Sequence, residues 1–398
     1  MAAARRIPSA PAAAQPVLPD EILEEIFLRL DAAADLARAS AACTSFLRVV
    51  SARRFLRRFR SLHPAPVLGV LDGDWFGITH PAADLFVPVE PPHLSASAAR
   101  ALARAADFTF SFIPDARSWW PRDYRDGRVL LSPRVDKAIA SDDLVVCDPL
   151  HRRYVRIPPI PDDLTAPIPP AVMQNFQPYL VPASEDEDDK LKDEEQASFR
   201  IICAVQWGNK FIAFFFSSVN QKWELVTYHS LGYFGHLRRC YAHGCFFWVV
   251  DSERNALMLD TRGMKFSIID LPPNNGTSSK GAAIVEAGEG RLGLLTLGDG
   301  AIDLSCMIWR NNSVGAEGWQ HCKMIPLTKD CDGSNYDWLI MDAAGRYLSL
   351  MALRSDSSKC FVLDLKTMLL KRLCALNDMV VHFHLYASFP SPFAPPSL

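Results

Sequence analysis

The spacing of apolar positions changes once along the chain, close to residue 65. Before that point VLPDEILEEIFLRLDAAADLARASAACTSFLRVVSARRFLRRFRSLHP, Val17 to Pro64, repeats at helical spacing. Pro19 suits a first helical turn, and Asp20, Glu21, Glu24 and Glu25 place negative charge near the positive end of the helix dipole. A helix is therefore predicted from Pro19, with Ile22, Leu23, Ile26, Phe27 and Leu30 as its apolar stripe. A second short helix carries Leu36. Thr44 is the predicted cap of a third, with Phe46, Leu47 and Val50 apolar, and a fourth sets Phe55, Leu56, Phe59 and Leu62 against a face of arginines. Three to four short helices between residues 16 and 64 are too few for a self-sufficient core, since units below about 70 residues usually need a staple or a partner.

From Val67 the period shortens to that of strands. Runs such as VLGVL, GRVLLS, DLVVCDP, FRIICAVQW, FIAFFFSS, CFFWVVD, GRLGLLTL and RYLSLMAL are separated by Gly, Pro, Asp, Asn and Ser. Only the segment from Ser95 to Ala106 reads as a helix, with Leu94, Ala98, Leu102 and Ala105 on one stripe. The strands repeat a sentence. LVVCDPLHRRYVRIPPIP, ALMLDTRGMKFSIIDLPP and CFVLDLKTMLLKRLCAL each run apolar strand, aspartate, polar turn, bulky residue, basic or polar residue, apolar close. IAFFFSSVNQKWELV and SCMIWRNNSVGAEGWQHCKMIPL are looser copies. With Trp223, Phe266, Trp319 and Leu370 taken as equivalent the period is roughly fifty residues, in the kelch-like, propeller range. A lone blade exposes both faces, and stacking blades around an axis buries them. The expected fold is thus multi-domain, a small all-α unit followed by an all-β propeller-like domain of six blades over residues 66–390, with its most degenerate copy near Val67. An open β-sandwich is the alternative.

Composition adds partners more than fold. The formal net charge of -3 over 398 residues gives no global case for nucleic acid or an acidic membrane surface. Arg48, Arg53, Arg54, Arg57, Arg58 and Arg60 cluster locally, and at helical spacing Arg53, Arg54, Arg57 and Arg58 share one face opposite Phe55, Leu56 and Phe59, as a solvated helix face beside a core requires. The ten cysteines form no C-x-x-C pair and no secretory signal precedes them, which points to a reducing compartment, cytoplasmic and/or nuclear. Asn275 and Asn311 open glycosylation sequons that matter only on export. No apolar run reaches the length of a membrane span. Residues 1–15 read as a disordered leader and 391–398 as a tail. The block SEDEDDKLKDEE, residues 184–195, is too charged to repay ordering and reads as a disordered insert, in which Ser184 precedes acids that suit an acidophilic kinase.

The N-terminal order LP-x-EIL, I-x-x-x-L, DL, C-T-S-F-L-R, R-R-F resembles an F-box. The resemblance implies that Leu18, Pro19, Ile22, Leu23, Ile26, Leu30, Leu36, Cys43, Phe46 and Phe55 serve docking on a Skp-type adaptor, and through it on a cullin. Phe46 stands where that family commonly has tryptophan. Beyond Pro66, GRVLLS, LVVCDPLHRRYVRIP, EGRLGLLTL and FVLDLKTMLLKRL are similar to the plant F-box-associated family. Together the two resemblances imply a substrate-recognition adaptor of a ubiquitin ligase, its β domain binding an unknown target protein.

Chemistry is sparse by comparison. GEGRLG, Gly288–Gly293, satisfies G-x-G-x-x-G, but a strand follows where a phosphate-binding helix is required, so a hairpin turn is expected. His236, Cys240, His243 and Cys245 are dense but lack the paired spacing that zinc needs, and read as two strands around Ala242-His243-Gly244. His382 and His384 share one strand face and read as edge histidines. No G-x-S-x-G, H-E-x-x-H or ordered triad occurs, so no catalytic residue, metal or cofactor is expected. Two alternatives remain: an F-box scaffold that does not promote turnover, and a propeller enzyme, which would need carboxylates or metal ligands converging at the axis.

Overall fold

The computed structural model describes residues 18–30, 33–63, 65–72, 85–133, 144–166, 168–169, 172, 176–181, 198–229, 237–250, 255–272, 281–298, 300–310, 313–314, 318–327, 336–354, 358–376, 383–389 and 398. The leader, the acidic insert with Ser184, the sequon residues Asn275 and Asn311, and most of the tail lie outside them. The chain divides into two compact units, Met1–Ala65 with Phe389–Phe393, and Pro66–Ser388 with Ala394–Leu398.

The first unit holds α1 (Asp20–Phe27), α2 (Ala33–Ser40), α3 (Thr44–Ser51) and α4 (Arg53–Leu62). Helix α1 opens on Pro19, whose carbonyl accepts from the amides of Ile22 and Leu23. Thr44 is not the cap of α3. The extended Cys43 holds that position and its carbonyl accepts from Leu47, so Thr44 becomes the first helical residue. Leu23, Phe27, Leu28, Leu36, Val49, Val50, Phe55, Leu56 and Phe59 bury together, and Phe389, more than three hundred residues downstream, joins them. Its ring centroid lies 6.0 Å from that of Phe59, with the Arg60 guanidinium 5.5 Å above it. Leu62, expected in this core, is exposed.

The second unit is a six-bladed propeller. Blade I contains β1 (Val67–Asp72) and β2 (Phe86–Pro88). The α5 helix (Ala96–Ala105) packs on them through Ala99 and Leu102, while Leu94 and Ala105 face solvent, so the buried stripe is rotated from the one expected. Blade II is β3 (Trp119–Arg125), β4 (Arg128–Pro133), β5 (Leu144–Asp148) and β6 (Arg153–Ile157). Blade III is β7 (Gln177–Val181), β8 (Arg200–Trp207), β9 (Lys210–Ser217) and β10 (Lys222–His229). Blade IV is β11 (Leu237–Ala242), β12 (Cys245–Val250), β13 (Asn255–Asp260) and β14 (Lys265–Asp270). Blade V is β15 (Ala282–Glu286), β16 (Arg291–Leu297), β17 (Ala301–Arg310), the two-residue β18 (Ser313–Val314) and β19 (Gln320–Pro326). Blade VI is β20 (Asp337–Ala344), β21 (Tyr347–Leu353), β22 (Ser358–Asp364) and β23 (Leu369–Leu376). The last strand, β24 (Phe383–Ala387), returns to pair antiparallel with β1.

That return closes the ring. Each blade is antiparallel, and four apolar clusters span all six seams: blades IV, V and VI in one, VI, I and II in a second, II and III in a third, III and IV in the last. Stacking thus buries both faces of each sheet, which an open sandwich would not. The repeated sentence is the outer hairpin of blades II to VI. In four of these the third strand ends on Asp148, Ser217, Asp260 or Asp364, whose side chain accepts an amide two residues on. Four residues after each, Arg152, Gln221, Met264 and Met368 turn left-handed, with φ of 54, 55, 50 and 55°. Such a turn with a left-handed exit matches a short hairpin to the twist of its strands. Among the described residues blade I has no outer hairpin, and its copy looked degenerate in sequence.

Candidate functional site

Two places concentrate side chains that could act. The first is the outer face of α1. Leu23 and Phe27 point inward, which turns Leu18, Ile22 and Ile26, four residues apart, to the other side, where they are 46, 48 and 45% exposed. Pro19 and Cys43 are also exposed, and Leu30 and Phe46 are half-buried. Leu23, Leu36 and Phe55 are interior, at 4, 0 and 1%. These three pack in the core that holds the helices together.

Arg48, Arg54, Arg58 and Arg60 are exposed, and two of them pair with acids of α1. The Arg58 guanidinium lies 2.6 Å from Glu25 and 3.5 Å from Glu24, and Arg48 donates to Asp20 at 2.9 Å. The hydrogen bond to Glu25 raises the Arg58 pKa. Together α1, α3 and α4 line a groove of about 390 Å³ with acids on one wall and Arg48, Arg54 and Arg58 on the other. The side chains of Arg53 and Arg57 lie outside the described residues.

The second place is the propeller axis, where the first strands of the blades meet, β24 supplying that of blade I. Asp123 on β3 takes two hydrogen bonds from Arg239 on β11, 2.7 and 3.0 Å, and one from the amide of Leu180 on β7 at 2.8 Å. The guanidinium also lies 4.3 Å from the Tyr179 ring centroid. His384 on β24 places Nδ1 3.5 Å from Asp342 on β20 and 3.9 Å from Asp123. Five blades therefore contribute to one buried polar cluster. Burial opposes the charged form of Asp123, but the Arg239 charge and hydrogen bonds outweigh it and hold the carboxyl below its ordinary value. Burial likewise opposes charge on Asp342, and the His384 hydrogen bond with the Arg239 charge lowers it all the same. Burial also raises the Tyr179 hydroxyl. His384 lies on an edge strand of its sheet, as expected, but that edge lines the axis, a setting the sequence did not reveal; Asp123 was not singled out in sequence.

The remaining motifs are structural. Gly288 to Gly290 form the turn between β15 and β16, and Gly293 lies within β16. Cys240 accepts the amide of Ile284, Cys245 is fully buried, and His243 contacts the carbonyl of Arg291 through Nε2 at 3.0 Å. His236 and His382 lie outside the described residues. Among the described residues no three His, Cys, Asp or Glu side chains converge as metal ligands.

The chain therefore carries a small four-helix domain followed by a six-bladed β-propeller, and the F-box-like family matches its residues 16–61. A search of curated proteins found no match. Among solved structures it is similar to a nidogen/laminin complex, with 10% identity, TM-score 0.36, and coverage of 67% of this chain and 84% of that one. It is also similar to TolB from Acinetobacter baumannii at 9% identity, TM-score 0.37, covering 68 and 57%. A post-proline cleaving enzyme from Rickettsia typhi is similar at 10% identity, TM-score 0.31, covering 65 and 37%.

Proposed function

We propose that this chain is the substrate-recognition adaptor of a Skp–cullin–F-box ubiquitin ligase, acting in the cytoplasm, the nucleus or both. One observation carries the reading: within the F-box-like residues, Ile22 and Ile26 on α1, with Leu18 just before it, form an exposed apolar row, and the opposite face of that helix is already buried. A row of this kind gains free energy by docking on an apolar partner surface. The Skp-type adaptor is that partner in this reading, and the propeller binds the protein to be modified. The two axial carboxylates that a propeller enzyme could use are engaged by Arg239 and His384. Chemistry then belongs to the other subunits. The chain contributes effective concentration, holding target lysines beside a charged ubiquitin carrier so that transfer becomes nearly intramolecular.

The test is capture of a purified Skp-type adaptor by the full chain. Leu18→Ala with Ile22→Ala removes two anchors, each worth about 2 kcal/mol, and weakens capture by roughly a thousandfold. Retained capture by a folded double variant overturns the docking face. Accumulation of captured targets under proteasome inhibition then tests the degradative step.

A further inference from the structure

Away from the α1 face and the axis, cysteines meet in pairs at two strand pairings. In blade V, Cys306 on β17 and Cys322 on β19 are cross-strand neighbours, close enough that the Cys322 thiol raises the pKa of Cys306. Cys306 lies opposite Gln320, and a register shift beside Leu304 and Ser305 leaves Cys322 as the extra residue of a bulge. In blade VI, Cys360 on β22 lies directly opposite Cys374 on β23.

The surroundings of the pairs differ. Cys322 is exposed, on an outermost strand of which every residue but Ile325 faces solvent. Its partner Cys306 is buried, while Cys360 and Cys374 are both wholly inaccessible. Oxidants react with the thiolate, and burial suppresses it. Burial, with the neighbouring Cys322 thiol, pushes the Cys306 thiol up to about 12, and burial raises Cys360 well above its usual value. Attack must then begin at Cys322, the one member of either pair that a solute can reach.

We propose that Cys306 and Cys322 are an oxidisable dithiol, a site of reversible disulfide modification by hydroperoxides, and that the Cys360–Cys374 pair is kept reduced by burial. The Cys322 thiolate attacks one peroxide oxygen; the O–O bond breaks, the leaving oxygen takes a proton, and Cys322 becomes a sulfenic acid. The Cys306 sulfur then attacks the Cys322 sulfur. The S–S bond forms, the S–O bond breaks, and the departing hydroxide leaves as water with the Cys306 proton. Two thiols and one hydroperoxide give a disulfide, water and the corresponding alcohol, or a second water from hydrogen peroxide. The product ties β19 onto β17 and is undone by a dithiol reductant.

The test exposes the full folded chain to hydrogen peroxide, blocks accessible thiols, unfolds, labels the remaining thiols with a second reagent and maps cysteines by mass spectrometry. The expected result is a Cys306–Cys322 linked peptide, two hydrogens lighter than its reduced parts and lost on reduction, with Cys360 and Cys374 taking the second label. In Cys306→Ser the sulfenic acid persists on Cys322 and is trapped by dimedone. In Cys322→Ser no linked peptide forms. Oxidation of Cys322 with Cys306 still a free thiol in the wild type overturns the proposal. So does equal linkage of Cys360 to Cys374 in the folded chain.

Discussion

Asp123 and Arg239, 116 positions apart in sequence, form a two-pronged ion pair at the propeller axis with 1 and 7% of their side chains exposed. The pair joins blade II to blade IV across the ring instead of along it. With Leu180, Tyr179, Asp342 and His384 it fills the place where other propellers leave a channel. The net stability such a buried pair contributes is small, because desolvation offsets the attraction between its members.

Removing one partner is a different matter. Asp123→Ala strands the Arg239 charge in the interior and is expected to cost about 3–5 kcal/mol in a denaturant melt. Asp123→Leu combined with Arg239→Met should recover much of that loss. A single variant as stable as the wild type would show that water reaches the axis.

The same cluster sets an acid limb. Asp123 and Asp342 both titrate lower in the folded chain than the ordinary 3.8. Their stabilisation is therefore complete above about pH 4 and is lost as pH falls below that value through the folded ones, where the native state must take up protons. Melting temperature measured from pH 6 downward should fall steeply below about pH 4. In Asp342→Asn the slope should be shallower, since one of the titrating groups is gone.

Local features were readable in advance and the axis was not. The outer hairpins repeat because each needs an acceptor at the end of its third strand and a left-handed exit, and Asp148, Asp260 and Asp364 supply the acceptor in plain view. Ser217 does the same work with a different residue, so its copy looked loose. Asp123 sits in WWPRDYR, a strand whose charges suggest exposure, and its partners come from β7, β11 and β24. Nothing local records such a convergence. Phe389 was invisible for the same reason, since its place beside Phe59 depends on the chain's return after β24. Periodicity did find the α1 stripe, but it could not say which of its residues faces in.

The left-handed turn positions offer a stabilising change. A side chain at such φ costs about 1–2 kcal/mol relative to glycine, partly offset by the extra freedom glycine has when unfolded. Gln221→Gly and Arg152→Gly, both at exposed turns, are expected to raise stability by roughly 0.5 kcal/mol each. A loss of stability in both would mean that the side chains, not the backbone, hold these hairpins.

Closure through β24 makes the C-terminus essential to blade I. Phe383, Leu385 and Tyr386 are buried with Val67, Val70 and Leu71, and the Tyr124 hydroxyl donates to the Ala387 carbonyl at 2.9 Å. A chain ending at residue 382 leaves β1 with one neighbour and two seams open. It should lose the cooperative melt of the full chain and expose apolar surface to a hydrophobic dye. Deleting residues 184–195, by contrast, should leave the melt unchanged.

The helical domain allows a sharper separation, because its ten docking candidates divide by burial. Ile22 and Ile26 are about half exposed, so truncating them to alanine removes little native packing and should change stability by no more than about 0.5 kcal/mol each. The same two changes remove apolar anchors and should abolish adaptor capture. Leu23→Ala and Phe55→Ala do the reverse chemistry: each empties a packed site and should cost about 2–5 kcal/mol. Capture then fails because the helices come apart, so the readout must include helicity by circular dichroism. Folded but blind variants at Ile22 and Ile26, beside unfolded variants at Leu23 and Phe55, would place the partner on the outer face of α1. If instead Arg58→Ala abolishes capture while Ile22→Ala and Ile26→Ala leave it intact, the partner reads the charged groove between α1, α3 and α4, and the apolar row is not the docking face.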